Sequence, residues 1–163
     1  MTEFQVLQWL EISALGQTTR ALGVWSYGII NLVHILGIAM LFGSILLLDL
    51  RLLGAWRQIP LASWSGPTTF MARVGFVVAV CSGIPMLSVN ATEYAGNPFL
   101  YVKFPAIALA LANVWLVHRS QAWRAHRVRD LMPSERRRLA IGASLSLLFW
   151  LTAITAGRMI GYW

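Results

Sequence analysis

The chain has 163 residues, 58% of them hydrophobic and only 12% charged, against roughly 25% charged in an average soluble chain. The formal net charge is +7. This composition excludes a water-soluble globule and indicates one integral membrane domain over 1–163. The single cysteine, Cys81, excludes a disulfide framework and a CxxC metal or redox site.

Residues 1–20 carry Glu3 and Glu11 and lack the cationic start of a secretory signal. The segment from Glu3 to Gly16 is too short and too polar to span a bilayer. Leu7, Leu10 and Ala14 fall at helical spacing near Trp9, so the segment reads as a helix lying in the outer interface or as an ordered loop. Four later segments reach the ~20 apolar residues that a hydrocarbon core of about 30 Å requires. They run over about 22–48, 70–89, 99–118 and 139–157. Lipid offers no partner to unpaired backbone groups, so all four are expected as helices. The fold class is all-α, an integral membrane four-helix bundle. The connection 49–69 holds Gly54, Pro60, Gly66 and Pro67, and 90–98 ends in the turn pair Asn97-Pro98. The connection 119–138 is basic and ends in MPSERRR, where Ser134 is placed to cap the fourth helix.

Seven arginines lie between Arg119 and Arg138, while Arg51 and Arg57 lie in the first connection. The second connection has only Lys103 at its end, and the termini carry Arg20 and Arg158. Basic residues favour the cytoplasmic side, so 49–69 and 119–138 are expected in the cytoplasm of a bacterial inner membrane, with both termini periplasmic. A nucleic-acid binder would spread its charge over a folded basic face; here the charge sits between apolar spans, and no nucleic-acid partner is expected.

Asn31 and His34 share a face of the first helix, continued by Gly37, Leu41 and Ser44. Small residues recur at a spacing of four: Gly75, Ala79 and Gly83, then Ala108 and Ala112, then Gly142 and Ser146. Such faces suit close helix packing and also a slot for a flat cofactor. An ionisable group in the membrane usually faces the bundle and marks function. His34 can ligate a metal or haem iron, relay a proton, or hydrogen-bond to Asn113 or a serine. His118 ends the third span as an interfacial residue or a second ligand. At 1.5 Å per residue the two histidines differ in depth by about 9 Å, which strains a single bis-histidine haem. His126 reads as a solvated loop residue. Arg158 is either an interfacial anchor with Tyr162 and Trp163 or a partner for an acidic group such as a haem propionate. No carboxylate is expected within the membrane, which argues against a carboxylate-based proton or cation transporter. No GxSxG, HExxH or phosphate-cradling glycine loop is present.

LVHILGIAMLFGSILLLDLRLLG (Leu32 to Gly54), LGQTTR, EYAGNPFLYVK, the VH that ends the third span and AGR resemble a family of small bacterial four-helix membrane proteins of unknown function. His34, Gly37, Gly43 and Asp49 also look remotely similar to the first helices of copper-resistance D proteins and of the haem-binding membrane protoporphyrinogen oxidase. That second resemblance implies His34 as an axial ligand of haem b.

The first expectation is therefore a b-type haem protein that transfers electrons, with quinone or a redox protein as partner. The cofactor contacts would be His34, His118, Arg158, Asn31 and Gly37, with His34 and His118 on the metal. The alternatives are a copper-handling protein and a non-enzymatic membrane subunit or scaffold in which His34 is satisfied by an interhelical hydrogen bond. Small-residue faces and eight tryptophans also provide surface for a homo-oligomer.

Overall fold

The computed structural model describes residues 2–163, and the secondary structure in that range is helical throughout. Seven α-helices follow one another: α1 (Glu3–Ile12), α2 (Ala14–Ala21), α3 (Gly23–Leu53), α4 (Leu61–Val89), α5 (Pro98–Arg119), α6 (Gln121–Ala125) and α7 (Pro133–Met159). The fold is an all-α membrane helical bundle, as the apolar spans predict. Helices α3, α4, α5 and α7 are long and apolar enough to cross a bilayer. Their outward apolar side chains, such as Trp25, Ile29, Phe70, Phe104 and Leu148, are exposed, as contact with lipid requires.

Three of the spans, α3, α4 and α7, clearly outrun their sequence-based bounds. Helix α3 continues through Asp49 to Leu53, because LLLDLRLL keeps its apolar residues at helical spacing on both sides of the aspartate. It stops at Gly54, which takes φ +114, a conformation that favours glycine. Helix α4 starts at Leu61 rather than near 70, directly after Pro60. It absorbs Pro67, which membrane helices tolerate where neighbours compensate the lost backbone bond. The connection expected over 49–69 thus contracts to residues 54–60. Helix α7 starts at Pro133, and Ser134 is not its cap. Met132 takes that position, its N–H donating to the Glu135 carboxylate at 2.9 Å, while Pro133 brings no N–H that needs a partner.

The chain forms two compact units, and α3 and α4 each contribute a segment to both. The first unit comprises Met1–Leu41 and Arg73–Asn97. Its N-terminal segment is helical, not a loop. Thr2 and Gln5 close a capping box at the start of α1, and Ser13 ends α1 and caps α2. Glu11 ties this segment to the turn after α4, accepting from the Thr92 N–H at 2.8 Å and hydroxyl at 2.6 Å. Arg20 pairs with Glu11 at 3.2 Å and also donates to the Val89 carbonyl. Those Thr92 bonds, with Arg20, hold the Glu11 carboxyl below its ordinary range.

Within the same unit α3 and α4 run antiparallel through their glycines. A Cβ on Gly37 would lie 2.8 Å from the Ala79 backbone nitrogen, and one on Gly83 would lie 2.8 Å from His34 Cε1. A Cβ on Gly75 would meet the backbone of Leu41. The two stripes, 34–37–41 and 75–79–83, therefore interlock, and any side chain at 37 or 75 would push against backbone that cannot rotate away.

The second unit comprises Phe42–Ala72 and Pro98–Trp163. Here α5 and α7 pair antiparallel, with Val117 against Gly142 and the Lys103 stem against Gly157. The buried face of α5 is Ala106, Ala110 and Asn113. Ala108 and Ala112, expected on that face, are exposed. Asn113 sets the rotation, since its side-chain amide donates to the Gly142 carbonyl at 2.9 Å. A cluster of Ala122, Trp123 and Leu139, flanked by Leu48, Leu52 and Leu61, closes this unit at its arginine-rich end.

Candidate functional site

In the first unit, Asn31, His34 and Gly37 lie along one stripe of α3. His34 Nδ1 sits 2.9 Å from the Ala79 carbonyl oxygen and 3.1 Å from Ser82 Oγ. A carbonyl can only accept, so Nδ1 carries the proton and the ring's lone pair is on Nε2. The Ser82 hydroxyl itself donates to the Val78 carbonyl at 2.6 Å. The hydrogen-bonding role expected of His34 is present with a serine, while Asn113 bonds Gly142 instead. The imidazole fills the notch at Gly83, and Gly37 is filled by the approach of Ala79. The glycine stripe is a packing seam, occupied at these two glycines by the facing helix.

His118 and Arg158 belong to the second unit, at opposite ends of the α5–α7 pair. His118 closes α5. Its Nδ1 donates to the Val114 carbonyl at 2.8 Å, and its ring packs on Trp123 with centroids 4.4 Å apart. Arg158 ends α7, hydrogen-bonding the Tyr162 hydroxyl with its guanidinium 4.8 Å from that ring. About 24 Å of helix separate Arg158 from Gly142, where α7 meets Asn113 and Val117. Arg158 cannot serve a group held by His118.

Two residues of this unit gain a significance that their sequence context does not suggest. His126 is buried at 7% exposure, not solvated. Its ring lies 4.6 Å from Trp123, the same indole on which His118 packs, and its Nε2 is 2.8 Å from Ser65 Oγ. The loop around it folds because Ser120 caps α6, accepting from the Trp123 N–H at 3.1 Å, which turns Trp123 and His126 inward together. A tryptophan in an otherwise basic stretch is the available sign. Burial, with Arg127 and His118 adding repulsion against a partial offset from the Trp123 backbone, holds His126 below the ordinary histidine value.

Asp49 is the second. It is 5% exposed inside α3. One carboxyl oxygen takes a hydrogen bond from Ser146 on α7, and Oδ2 is enclosed with no hydrogen-bond partner. The available sign is the run of leucines on both sides of it. Asn113, Ser65 and Thr68 are further buried polar residues of this unit. Among the described residues no group of three or more His, Cys, Asp or Glu converges as a metal site.

Four apolar helices of spanning length, with lipid-type side chains outward, define a multi-pass α-helical membrane protein. Within that class the chain belongs to DUF6644, described as a family of unknown function, whose profile matches residues 6–163. No curated protein matches the chain, and no solved structure does. The likenesses to copper-resistance D proteins and to the membrane protoporphyrinogen oxidase gain no support from these comparisons.

The His126 site has a pH signature. The unfolded chain takes up a proton near the ordinary value of 6.5, before the folded chain does. The contribution of His126 is thus complete above that pH and declines as acid is added, toward the depressed folded value. Thermal unfolding in detergent at pH 7.5 and pH 5.5 is expected to show a melting temperature lower by a few degrees in acid, with a smaller drop in His126→Gln; equal drops would assign the acid sensitivity elsewhere.

Proposed function

We propose that this protein is a proton-exchanging component of the bacterial inner membrane, with Asp49 as its working carboxyl. The observation that carries this reading is the burial of Asp49 in a membrane-crossing helix with one oxygen bound to Ser146 and the other enclosed without a partner. Carboxyl groups in such surroundings are costly and typically belong to proton or ion pathways. A carboxyl with one satisfied oxygen can bind and release a proton at the other without rearranging its neighbours. In vesicles loaded with a pH-sensitive dye, wild-type protein is expected to speed proton equilibration, and Asp49→Asn to return it to the rate of protein-free vesicles. Equal rates for wild type and variant, with both folded by circular dichroism, would sink this reading.

The orientation proposed is both termini periplasmic, with residues 54–60 and 120–132 cytoplasmic. The support is the concentration of arginine in and beside those two segments. In this arrangement the exposed Phe4, Trp9 and Ile12 of α1 would rest in the outer interface. A reporter that fluoresces only in the cytoplasm, fused after Trp163, is expected to stay dark; a bright fusion would invert the topology.

A second reading keeps His34 as an axial ligand of haem b in electron transfer, with quinone or a redox protein as partner. One observation favours it: with Nδ1–H held by the Ala79 carbonyl, the ring has the tautomer and fixed orientation that metal-bound imidazoles adopt. The closed glycine stripe weighs against it, since Gly37 and Gly83 are already filled. Protein purified from cells supplied with iron would show a Soret band lost in His34→Ala under this reading, and no such band if His34 only clamps α3 to α4.

A further inference from the structure

At the arginine-rich end of the second unit, the end of α3, the starts of α4 and α7 and the turn after α6 enclose a cleft of about 810 Å³. Six arginines line it against one acidic side chain, Asp130. Three of the six are already engaged, Arg136 through a single bond from Nε to the Leu131 carbonyl at 3.1 Å that leaves its two terminal nitrogens for other contacts. Arg129 forms a two-pronged pair with Glu135, at 2.9 and 2.7 Å. Arg51 donates twice to the Ile59 carbonyl, at 3.0 and 2.7 Å. Arg57, Arg127, Arg136 and Arg137 have no carboxylate partner among the described residues.

A topology signal requires arginines only on one side of the membrane; it does not require them to converge. Convergence of guanidinium groups without carboxylates costs repulsion unless an anion joins them. The backbone is shaped to hold one of them. Arg57 Nη2 lies 2.7 Å from where a Cβ on Gly54 would stand, and Gly54 has φ +114, so a side chain at 54 would displace it. The lining is also apolar, with Leu52, Leu61, Leu131 and Leu139. Guanidinium groups and leucines in one cleft, at the ends of membrane-crossing helices, match an amphiphile that carries a phosphate over acyl chains.

We propose that this cleft binds the phosphate of an anionic phospholipid headgroup. Arg57, Arg136 and Arg137 form the phosphate contacts, and the leucines receive the upper acyl chains. The site is independent of the proton chemistry assigned to Asp49.

The test compares full-length protein in nanodiscs of phosphatidylcholine alone with nanodiscs containing phosphatidylglycerol or cardiolipin, reading lipid retained after detergent extraction by native mass spectrometry. Wild type is expected to retain anionic lipid selectively. Arg57→Gln/Arg136→Gln/Arg137→Gln should lose that retention, while Arg119→Gln/Arg124→Gln, which removes the same kind of charge outside the cleft, should keep it. Arg137→Gln alone, which leaves the Arg129–Glu135 and Arg51–Ile59 bonds in place, should weaken retention even if the triple variant does not fold. Equal losses in the two sets of variants would mean diffuse surface attraction and overturn the site. Binding of inorganic pyrophosphate without selective retention of anionic lipid would overturn the lipid assignment in favour of a soluble phosphate compound.

Discussion

Each unit is held at one recurring contact, a polar side chain that donates to the backbone carbonyl of a neighbouring helix where small residues let the two approach. His34 reaches the Ala79 carbonyl beside Gly37 and Gly83. Asn113 reaches the Gly142 carbonyl at 2.9 Å in a face otherwise made of alanine. Lipid supplies neither hydrogen bonds nor a hydrophobic drive between helices, so association depends on close packing and on such bonds. Each contributes only about 0.6 kcal/mol on average in a membrane. Their larger effect is geometric: a side chain that must find a carbonyl fixes the rotation and register of its helix. That fixed rotation sends Ala108 and Ala112 to the surface and Ala106 and Ala110 inward.

The same rotations decide which ionisable groups are enclosed. Ser146 lies one turn beyond Gly142 on α7, so the register that Asn113 sets also brings a hydroxyl to Asp49. Leu48 and Leu52 flank that carboxyl on α3 and pack against the cluster around Trp123. His118 and His126 both stack on Trp123. The two histidines share an indole. This unit therefore holds one buried carboxyl and two hydrogen-bonded imidazole rings.

Much of the fold is legible in the sequence because hydropathy and helical period are local properties. The four spans, the short connections and the stripes 34–37–41 and 75–79–83 all follow from those two properties. The ends of the helices do not. Helix α3 runs through Asp49 because apolar spacing outweighs one charge when that charge finds a partner on another helix. Helix α4 likewise takes in Pro67 and continues to Val89. Of the candidate site, His34 stands out in the sequence as an enclosed polar group, and a serine is its partner. Asp49 and His126 do not stand out, because each lies in a stretch that looks like loop and becomes buried only through contacts far along the chain.

The sequence by itself determined the membrane class, the number of spanning helices, the arginine asymmetry and the small-residue seams, since all follow from composition and spacing along one chain. Only the tertiary structure decided that the glycine stripe closes on itself, that Asp49 faces Ser146, that His126 packs on Trp123, and that the arginines of separate connections line one cleft. Those outcomes depend on which faces of distant helices meet, and the rotation of each helix is set by hydrogen bonds to partners 29 to 61 residues away.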